Sequence, residues 1–160
     1  MRILSLLILF LIFSCEKEII KDGQKHLPRK TEKGRGIFAC YINDETYISK
    51  RQDEVVYNKT LGYLFIENNS SDFDFRLFVY QGLFNEGIYA FSNTSEEYIG
   101  ANGGIHYGIA AGGINELNIT KLDLENRIIS GTFQIDLEDE NGNQKLIRDG
   151  RFDLEITIIS

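Results

Sequence analysis

Residues 132–143 read TFQIDLEDENGN, an alternating segment that runs into a polar turn. Its apolar residues, Phe133, Ile135 and Leu137, fall at every second position with polar residues between them. Successive side chains of a β-strand point to opposite faces, so this spacing predicts a strand with one buried and one solvated face. The turn at 139–143 contains Asn-Gly, the strongest short-range hairpin signal. The segment therefore predicts two antiparallel strands joined at residues 139–143.

The same period of two recurs in two further runs, formed by Phe73, Phe75, Leu77 and Val79, and by Phe152, Leu154, Ile156 and Ile158. Between Ile119 and Leu122 the apolar positions change from odd to even, which predicts a bulge or turn near Thr120-Lys121. Asp149-Gly150 predicts another turn or bulge.

No stretch after Cys15 keeps a helical apolar period for more than two turns. We therefore expect an all-β domain over residues 36–160, built as a single antiparallel β-sandwich or flattened β-barrel of about 8–10 strands. The sequence does not choose between these two architectures.

A different kind of segment precedes the domain. Arg2 supplies a positive start, residues 3–13 are apolar except for Ser5, and the small Ser14 stands before Cys15. These are the three parts of a secretory signal. As a helix, residues 3–13 would span roughly 17 Å, short of a hydrocarbon core of about 30 Å. The sequence therefore predicts a signal peptide at residues 1–14 rather than a transmembrane helix.

Residues 12–15, IFSC, resemble the lipobox of bacterial lipoproteins. The resemblance implies that Cys15 becomes the first residue of the mature chain and carries a diacylglyceryl thioether, often with an acyl chain such as palmitate on its amine. Two or three chains anchor a protein stably to a membrane. The implied location is the bacterial cell envelope, on the outer membrane. Glu16 and Glu18 resemble an acidic surface-export signal, so the periplasmic face and the cell surface both stay open.

Charge is distributed unevenly along the mature chain. Residues 15–35 carry seven basic and four acidic side chains, whereas residues 36–160 carry nine basic and twenty acidic ones. An acidic domain argues against nucleic acid as a partner, because phosphates require a basic surface. Residues 15–35 also contain few apolar side chains and the single proline, Pro28. This composition predicts a flexible tether between the lipidated cysteine and the domain.

Cys40 is the one cysteine that remains when Cys15 carries lipid, so we expect no intrachain disulfide. It lies in the apolar run 37–42, where a small buried hydrophobe is the favoured interpretation. Nucleophilic chemistry would need a base, and the chain offers His26 and His106.

Three C-terminal motifs, GTF at 131–133, DENG at 139–142 and DGRFD at 149–153, resemble the closing pattern of small all-β lipoproteins of Bacteroidota, a family with a domain of unknown function. Residues 38–45, FACYINDE, resemble that family's opening strand and turn. The resemblance implies an all-β domain on an envelope lipoprotein, and it transfers no catalytic residue.

The acidic turn is the first candidate for chemistry. Asp139, Asn141 and Asn143 stand at alternate positions, as at the start of an EF-hand calcium loop. Gly142 comes too early for that loop, and Gly150 stands where the loop needs an acid. A solvated hairpin is the favoured interpretation, and calcium binding at residues 139–143 stays open.

The glycine-rich stretch 100–113, GANGGIHYGIAAGG, is the second candidate. It lacks the Lys-Ser/Thr pair of a phosphate-binding loop, so a bulged or tightly packed strand is favoured. His106 and Tyr107 within it are the candidate exposed ligand contact. A lone histidine is more often structural than catalytic.

Nucleophile-elbow and zinc-site spacings do not occur in the chain. We therefore expect a non-enzymatic binding or structural module without cofactor or metal, whose partner in the envelope is a protein or a glycan. One alternative is a hydrolase that uses a pair of its twenty domain carboxylates. Another is an inhibitor or immunity-type lipoprotein that inserts the 100–113 loop into a foreign enzyme.

Overall fold

The computed structural model describes residues 26–49, 53–69, 73–80, 82–90, 99–100 and 106–160. Over these ranges the chain forms strands and no helix, and hence no helix that would cross a membrane. The strands are β1 Ile37–Ile42, β2 Glu45–Ile48, β3 Glu54–Asn58, β4 Tyr63–Asn69, β5 Asp74–Tyr80, β6 Gly87–Ala90, β7 Ile99–Gly100, β8 His106–Ile109, β9 Asn115–Asp123, β10 Ile128–Asp139, β11 Gln144–Glu155 and β12 Thr157–Ile159. The prediction of an all-β domain is confirmed.

These strands form two sheets. In the larger, eight-stranded sheet, β10 pairs with β11 on one side, and on the other side with β9 along its first part and β8 along its last part. The smaller sheet has the order β12-β3-β4-β5, and its pair β12–β3 is parallel. Both sheets are open, so the chain is a β-sandwich rather than a closed barrel.

Three phenylalanine rings join the two sheets. Phe38 and Phe133 come from the larger sheet and lie 5.1 Å apart between ring centroids. Phe75 comes from the smaller sheet and lies 5.2 Å from Phe38 and 5.4 Å from Phe133. All three are buried, and aromatic pairs at these separations add to the free energy gained by burial. The alternating runs predict the core correctly at Phe73, Phe75, Leu77, Val79, Phe133, Ile135, Leu137, Phe152, Leu154 and Ile156.

The central pair β10–β11 is fitted around two glycines. Gly131 stands opposite Phe152, and Phe133 stands opposite Gly150. A Cβ on Gly131 would lie 2.2 Å from the carbonyl oxygen of Asn118 and 2.6 Å from the Phe152 ring. A Cβ on Gly150 would lie 2.6 Å from the Phe133 ring. Each ring thus occupies the space that a side chain on the opposite strand would fill.

Both predicted irregularities are bulges. Ser130 pairs with Lys121 while Gly131 pairs with Ile119, so β9 holds one extra residue at Thr120. Phe133 pairs with Gly150 and Ile135 pairs with Ile147, so β11 holds one extra residue between these two pairs. Asp149, which lies in this interval, has a φ of 49°. Because side chains alternate along a strand, each bulge resets which residues face the core.

Candidate functional site

Asp153 organises the outer face of the larger sheet. Its neighbours Phe152 and Leu154 point into the core, so its own side chain points away from the smaller sheet. The carboxylate nevertheless is buried, because residues 27–35 cross over it. It accepts hydrogen bonds from the backbone amides of Lys33 at 3.0 Å, Gly34 at 2.7 Å and Arg35 at 3.2 Å.

Two hydroxyl groups complete the shell around Asp153, those of Thr31 and Ser130, the latter at 2.8 Å. Burial opposes the ionised carboxylate, but the hydrogen bonds from both hydroxyls and from the Gly34 and Lys33 amides outweigh it. The pKa of Asp153 therefore lies below its ordinary value. Asp153 is thus a charged clamp that holds the segment before β1 on the sheet.

Further contacts extend the attachment of this segment. Leu27 is buried, Arg151 donates to the Pro28 carbonyl oxygen at 2.7 Å, and Lys121 donates to that of Glu32 at 3.2 Å. The composition predicts a flexible tether through residue 35, whereas residues 27–35 lie against the domain. The difference arises because the buried carboxylate of Asp153 accepts hydrogen bonds from the backbone amides of this segment. Asp153 lies 118 or more residues away from them in the sequence, so the composition of the segment does not indicate the contact.

A cavity of about 430 Å³ lies between this segment and the sheet. Four basic residues line it, Arg29, Lys30, Lys33 and Arg151, together with three threonines, Thr31, Thr120 and Thr132. The acidic residues of the lining are Glu32 and the clamped Asp153. The cavity volume falls in the range of small-molecule sites, roughly 300–1,000 Å³.

The half-buried carboxyl group of Asp53 lies immediately before β3. Its Oδ1 atom accepts hydrogen bonds from Asn68 Nδ2 at 2.5 Å and from Ser49 Oγ at 2.8 Å. Asn68 in turn accepts one from the Tyr47 hydroxyl at 2.6 Å. Burial raises the pKa of Asp53 to about 6, although both hydrogen bonds lower it. These partners are an amide and hydroxyls, which suits a link between β2 and β4 better than the paired carboxyls of a glycosidase.

The outer face of the smaller sheet carries four aromatic side chains. Tyr63 and Phe65 of β4 stand directly opposite Tyr80 and Phe78 of β5, and we call these four residues the aromatic surface. They alternate with buried Leu64 and other core residues, so they face away from the larger sheet. Tyr80 is 51% exposed, and the other three are half-buried.

The rings of the aromatic surface contact one another closely. Phe65 and Phe78 stack with centroids 4.3 Å apart, and Tyr63 and Tyr80 lie 5.6 Å apart. The ring planes of Phe78 and Tyr80 are nearly parallel, with 13° between them. The stack covers one face of each phenylalanine ring, and Tyr80 is the most exposed ring of the four.

Two exposed leucines continue the apolar character at one end of the aromatic surface. The Gly82 amide donates to the Gly62 carbonyl oxygen at 3.0 Å, which joins the β3–β4 turn to the segment after β5. Leu61 and Leu83, each one residue from this contact, are 67% and 74% exposed. A Cβ on Gly62 would lie 2.6 Å from Gly82 Cα, so this close approach depends on glycine.

The ligand contact predicted from the sequence consists of His106 and Tyr107, and Tyr107 belongs neither to the cavity nor to the aromatic surface. Tyr107 is 8% exposed and therefore buried, which differs from the exposed contact that the sequence predicts. Its ring packs beneath Lys145, whose Nζ atom lies 4.9 Å from the ring centroid. His106 begins β8, but its side chain lies outside what the structure describes, as do the predicted signal peptide and Cys15.

Gly113, at the end of the glycine-rich stretch, is tightly packed, although it lies in the turn after β8 and not in the strand that the sequence predicts. A Cβ on Gly113 would lie 2.5 Å from the Asp136 Cβ, and the next amide, of Ile114, donates to Asp136 at 3.0 Å. Arg148 pairs with Asp136 at 2.5 Å. Burial opposes the charge of Asp136, but these donors outweigh it and hold its pKa below the ordinary value. Residues 101–105 of the stretch lie outside the described part.

The predicted hairpin turn is present, but Asp139 in it is buried rather than solvated. Its carboxylate accepts from the Asn143 side chain at 2.8 Å, the Asn143 amide at 2.8 Å and the Asn141 amide at 2.9 Å. The bonds from Asn143 and Asn141 hold the pKa of Asp139 below its ordinary value. Among the residues that the structure describes, no three His, Cys, Asp or Glu side chains are grouped to hold a metal ion.

Cys40 is 1% exposed and unpaired, which confirms the prediction of a small buried hydrophobe. Burial raises its pKa to about 12. The thiol therefore stays protonated near neutral pH and lacks the nucleophilic thiolate form.

Comparison of the chain with models of known protein families gives no match, and neither does comparison with curated proteins or with solved structures.

Proposed function

We propose that this chain is a lipid-anchored lipoprotein of the bacterial outer membrane, and that its β-sandwich binds a protein partner without catalysis. The observation that carries this proposal is the aromatic surface with its neighbouring leucines. Contiguous exposed apolar residues are uncommon on monomeric soluble domains and often mark interaction sites. Tyrosine and other aromatic side chains are enriched in the buried centres of protein interfaces.

The geometry of the rings favours a protein over a glycan as the partner. A sugar stacks on the free face of an aromatic ring, and stacking at 4.3 Å already covers one face of Phe65 and one face of Phe78. Protruding leucines such as Leu83, which is 74% exposed, instead suit insertion into an apolar pocket of a partner.

Charge adds a second property of the partner. The domain at residues 36–160 has an excess of eleven acidic over basic side chains. Opposite potentials across an interface speed association and select partners. The expected partner therefore has an apolar centre and a basic rim.

Anchoring is proposed from residues 1–15, whose lipobox resemblance is described above. It is tested by metabolic labelling with a palmitate analogue in a bacterial host. We expect the unaltered chain to incorporate label and the Cys15→Ala variant to incorporate none. Equal labelling of the two chains would show that lipid is not attached at Cys15.

The binding surface is tested by photocrosslinking in intact cells with a photoreactive amino acid at Tyr80, and at Gln134 as the control. Gln134 is exposed on the outer face of the larger sheet. We expect a discrete adduct from position 80 and none from position 134. Purified, detergent-solubilised chain is expected to compete with this adduct, whereas its Leu83→Ser variant competes at least tenfold less well.

Leu146→Ser is the matched control for Leu83→Ser, because Leu146 is also exposed but belongs to the larger sheet. Equal competition by both variants, or adducts from both crosslinking positions, would contradict binding at the aromatic surface. A Tyr80-dependent interaction with envelope polysaccharide and no protein adduct would replace the protein partner by a glycan.

A further inference from the structure

We propose that the cavity beneath residues 29–33 binds the anionic phosphate headgroups of the membrane that holds the Cys15 lipid. This inference rests on the proposed lipid anchor and concerns a different face from the aromatic surface. It follows from three observations: the position of the positive charge, the chemistry of the cavity and the length of chain up to Cys15.

The positive charge of the N-terminal region is fixed to the domain. Residues 15–25 carry three basic and three acidic side chains, whereas residues 26–35 carry four basic and one acidic. The whole basic excess of residues 15–35 therefore belongs to the segment that Asp153 clamps. A clamped segment presents its cations in one orientation, which a freely moving tether does not.

The cavity has the chemistry of an anion site. Lys30, Lys33 and Arg151 supply cationic groups, and Thr120 and Thr132 supply hydroxyl donors. Arginine and lysine pair with phosphate through charge-assisted hydrogen bonds.

The acids of the lining leave this positive character in place. The carboxylate of Asp153 already accepts hydrogen bonds from three backbone amides and two hydroxyls. Glu32 is a single carboxylate against the four basic residues of the cavity.

The membrane is the source of the phosphate because the segment is close to the proposed anchor. Leu27, the first buried residue of the segment, follows Cys15 by twelve positions. A coil of this length has a root-mean-square span of roughly 20 Å. The outer face of the larger sheet is thereby kept near the headgroups, and the aromatic surface on the other side of the sandwich faces away from the bilayer.

The test measures binding of the unlipidated mature chain, residues 15–160 with Cys15→Ala, to vesicles. We expect it to bind vesicles containing phosphatidylglycerol, to release at high salt, and not to bind phosphatidylcholine alone. Each basic residue near an anionic surface contributes roughly fivefold in affinity. The double variant Lys30→Gln/Lys33→Gln is therefore expected to bind about 25-fold more weakly, with an unchanged melting temperature.

Lys17→Gln/Lys21→Gln is the matched control, because it removes the same charge from the part before the clamp. An equal loss of binding in both double variants would contradict headgroup binding in the cavity. It would instead indicate a general electrostatic attraction between the basic N-terminal region and the anionic vesicle. Thermal stabilisation by inorganic phosphate, without any binding to phosphatidylglycerol vesicles, would show that the cavity binds free phosphate and not membrane headgroups. Because the chain in this assay carries no lipid, a failure here is separate from a failure of palmitate labelling.

Discussion

The carboxylate of Asp153 lies 2.7 Å from the amide nitrogen of Gly34, a residue 119 positions earlier in the chain. Gly34 has a φ of 65°, a backbone conformation that glycine adopts without steric cost. This turn directs three consecutive amides at one carboxylate. The clamp therefore depends on a single side chain of β11 and on the backbone of the segment before β1.

Replacing Asp153 tests the clamp. Asp153→Ala leaves the Ser130 hydroxyl and three amides without their acceptor, so we expect a loss of about 2–4 kcal/mol in the free energy of unfolding. Residues 27–35 should also become sensitive to trypsin, which is expected to cleave after Lys30 and Lys33. Chemical unfolding and limited proteolysis measure the two effects, with the exposed Glu140→Ala as control. Resistance to trypsin equal to that of the unaltered chain would contradict the clamp.

Asp53 should impose a pH dependence on stability. Burial raises its pKa from 3.8 to about 6, so the folded chain binds this proton more tightly than the unfolded chain. The contribution of this group to stability therefore falls as the pH rises from about 4 to about 6, and then stays constant. Asp53→Asn keeps an oxygen acceptor for Ser49 and Asn68 but removes the titration.

The variant should accordingly gain stability relative to the unaltered chain as the pH rises through this window. Urea unfolding at a series of pH values across it measures the difference, with Glu140→Gln as the charge-matched control. Parallel stability curves for the Asp53→Asn variant and the unaltered chain would show that Asp53 titrates alike in both states.

Gly131 should tolerate no side chain. A Cβ there would meet the Asn118 carbonyl oxygen at 2.2 Å and the Phe152 ring at 2.6 Å, so strands β9 and β10 must separate. We expect Gly131→Ala to destabilise the domain by about 3 kcal/mol or more. Gly142→Ala is the control, since nothing lies near its Cβ and only its φ of 79° is unfavourable. That substitution should cost about 1–2 kcal/mol, and thermal unfolding distinguishes the two.

Cys40 should react with thiol reagents only when the domain opens. Its burial and its pKa of about 12 leave almost no accessible thiolate at neutral pH. We expect labelling by iodoacetamide to be negligible in native buffer and complete in concentrated urea. Rapid labelling of the native chain would mean that the edge formed by β1 and β2 opens frequently.

The core was predictable because its signal is local. Phe133, Ile135 and Leu137 alternate with polar residues, and all three are buried. The bulge at Thr120 was predictable for the same reason, since one extra residue shifts the phase of the pattern. The choice between a sandwich and a barrel depends on which strand edges pair, and single-strand periodicity carries no information on that.

The clamp and the aromatic surface were missed for different reasons. Asp153 alternates with Phe152 and Leu154 as any solvated residue would, and nothing local indicates that residues 27–35 will cover it. The aromatic surface did leave a signal, because residues 63–66, YLFI, are apolar on both faces of β4. A strand in a two-layer fold with two apolar faces has one face that the core does not use.

The parallel strand β12 bears on the order in which the domain assembles. Residues 157–159 cover the edge of β3 at Val56, Tyr57 and Asn58, yet they are synthesised after every other described strand. Until β12 pairs with it, this edge of β3 has unpaired backbone amides and carbonyls. Such an edge can pair with a strand of another chain and lead to association. The β1–β11 and β12–β3 pairings each join residues more than 100 positions apart in the sequence, which slows folding. A chaperone that shields newly made chain would therefore matter most for this one edge.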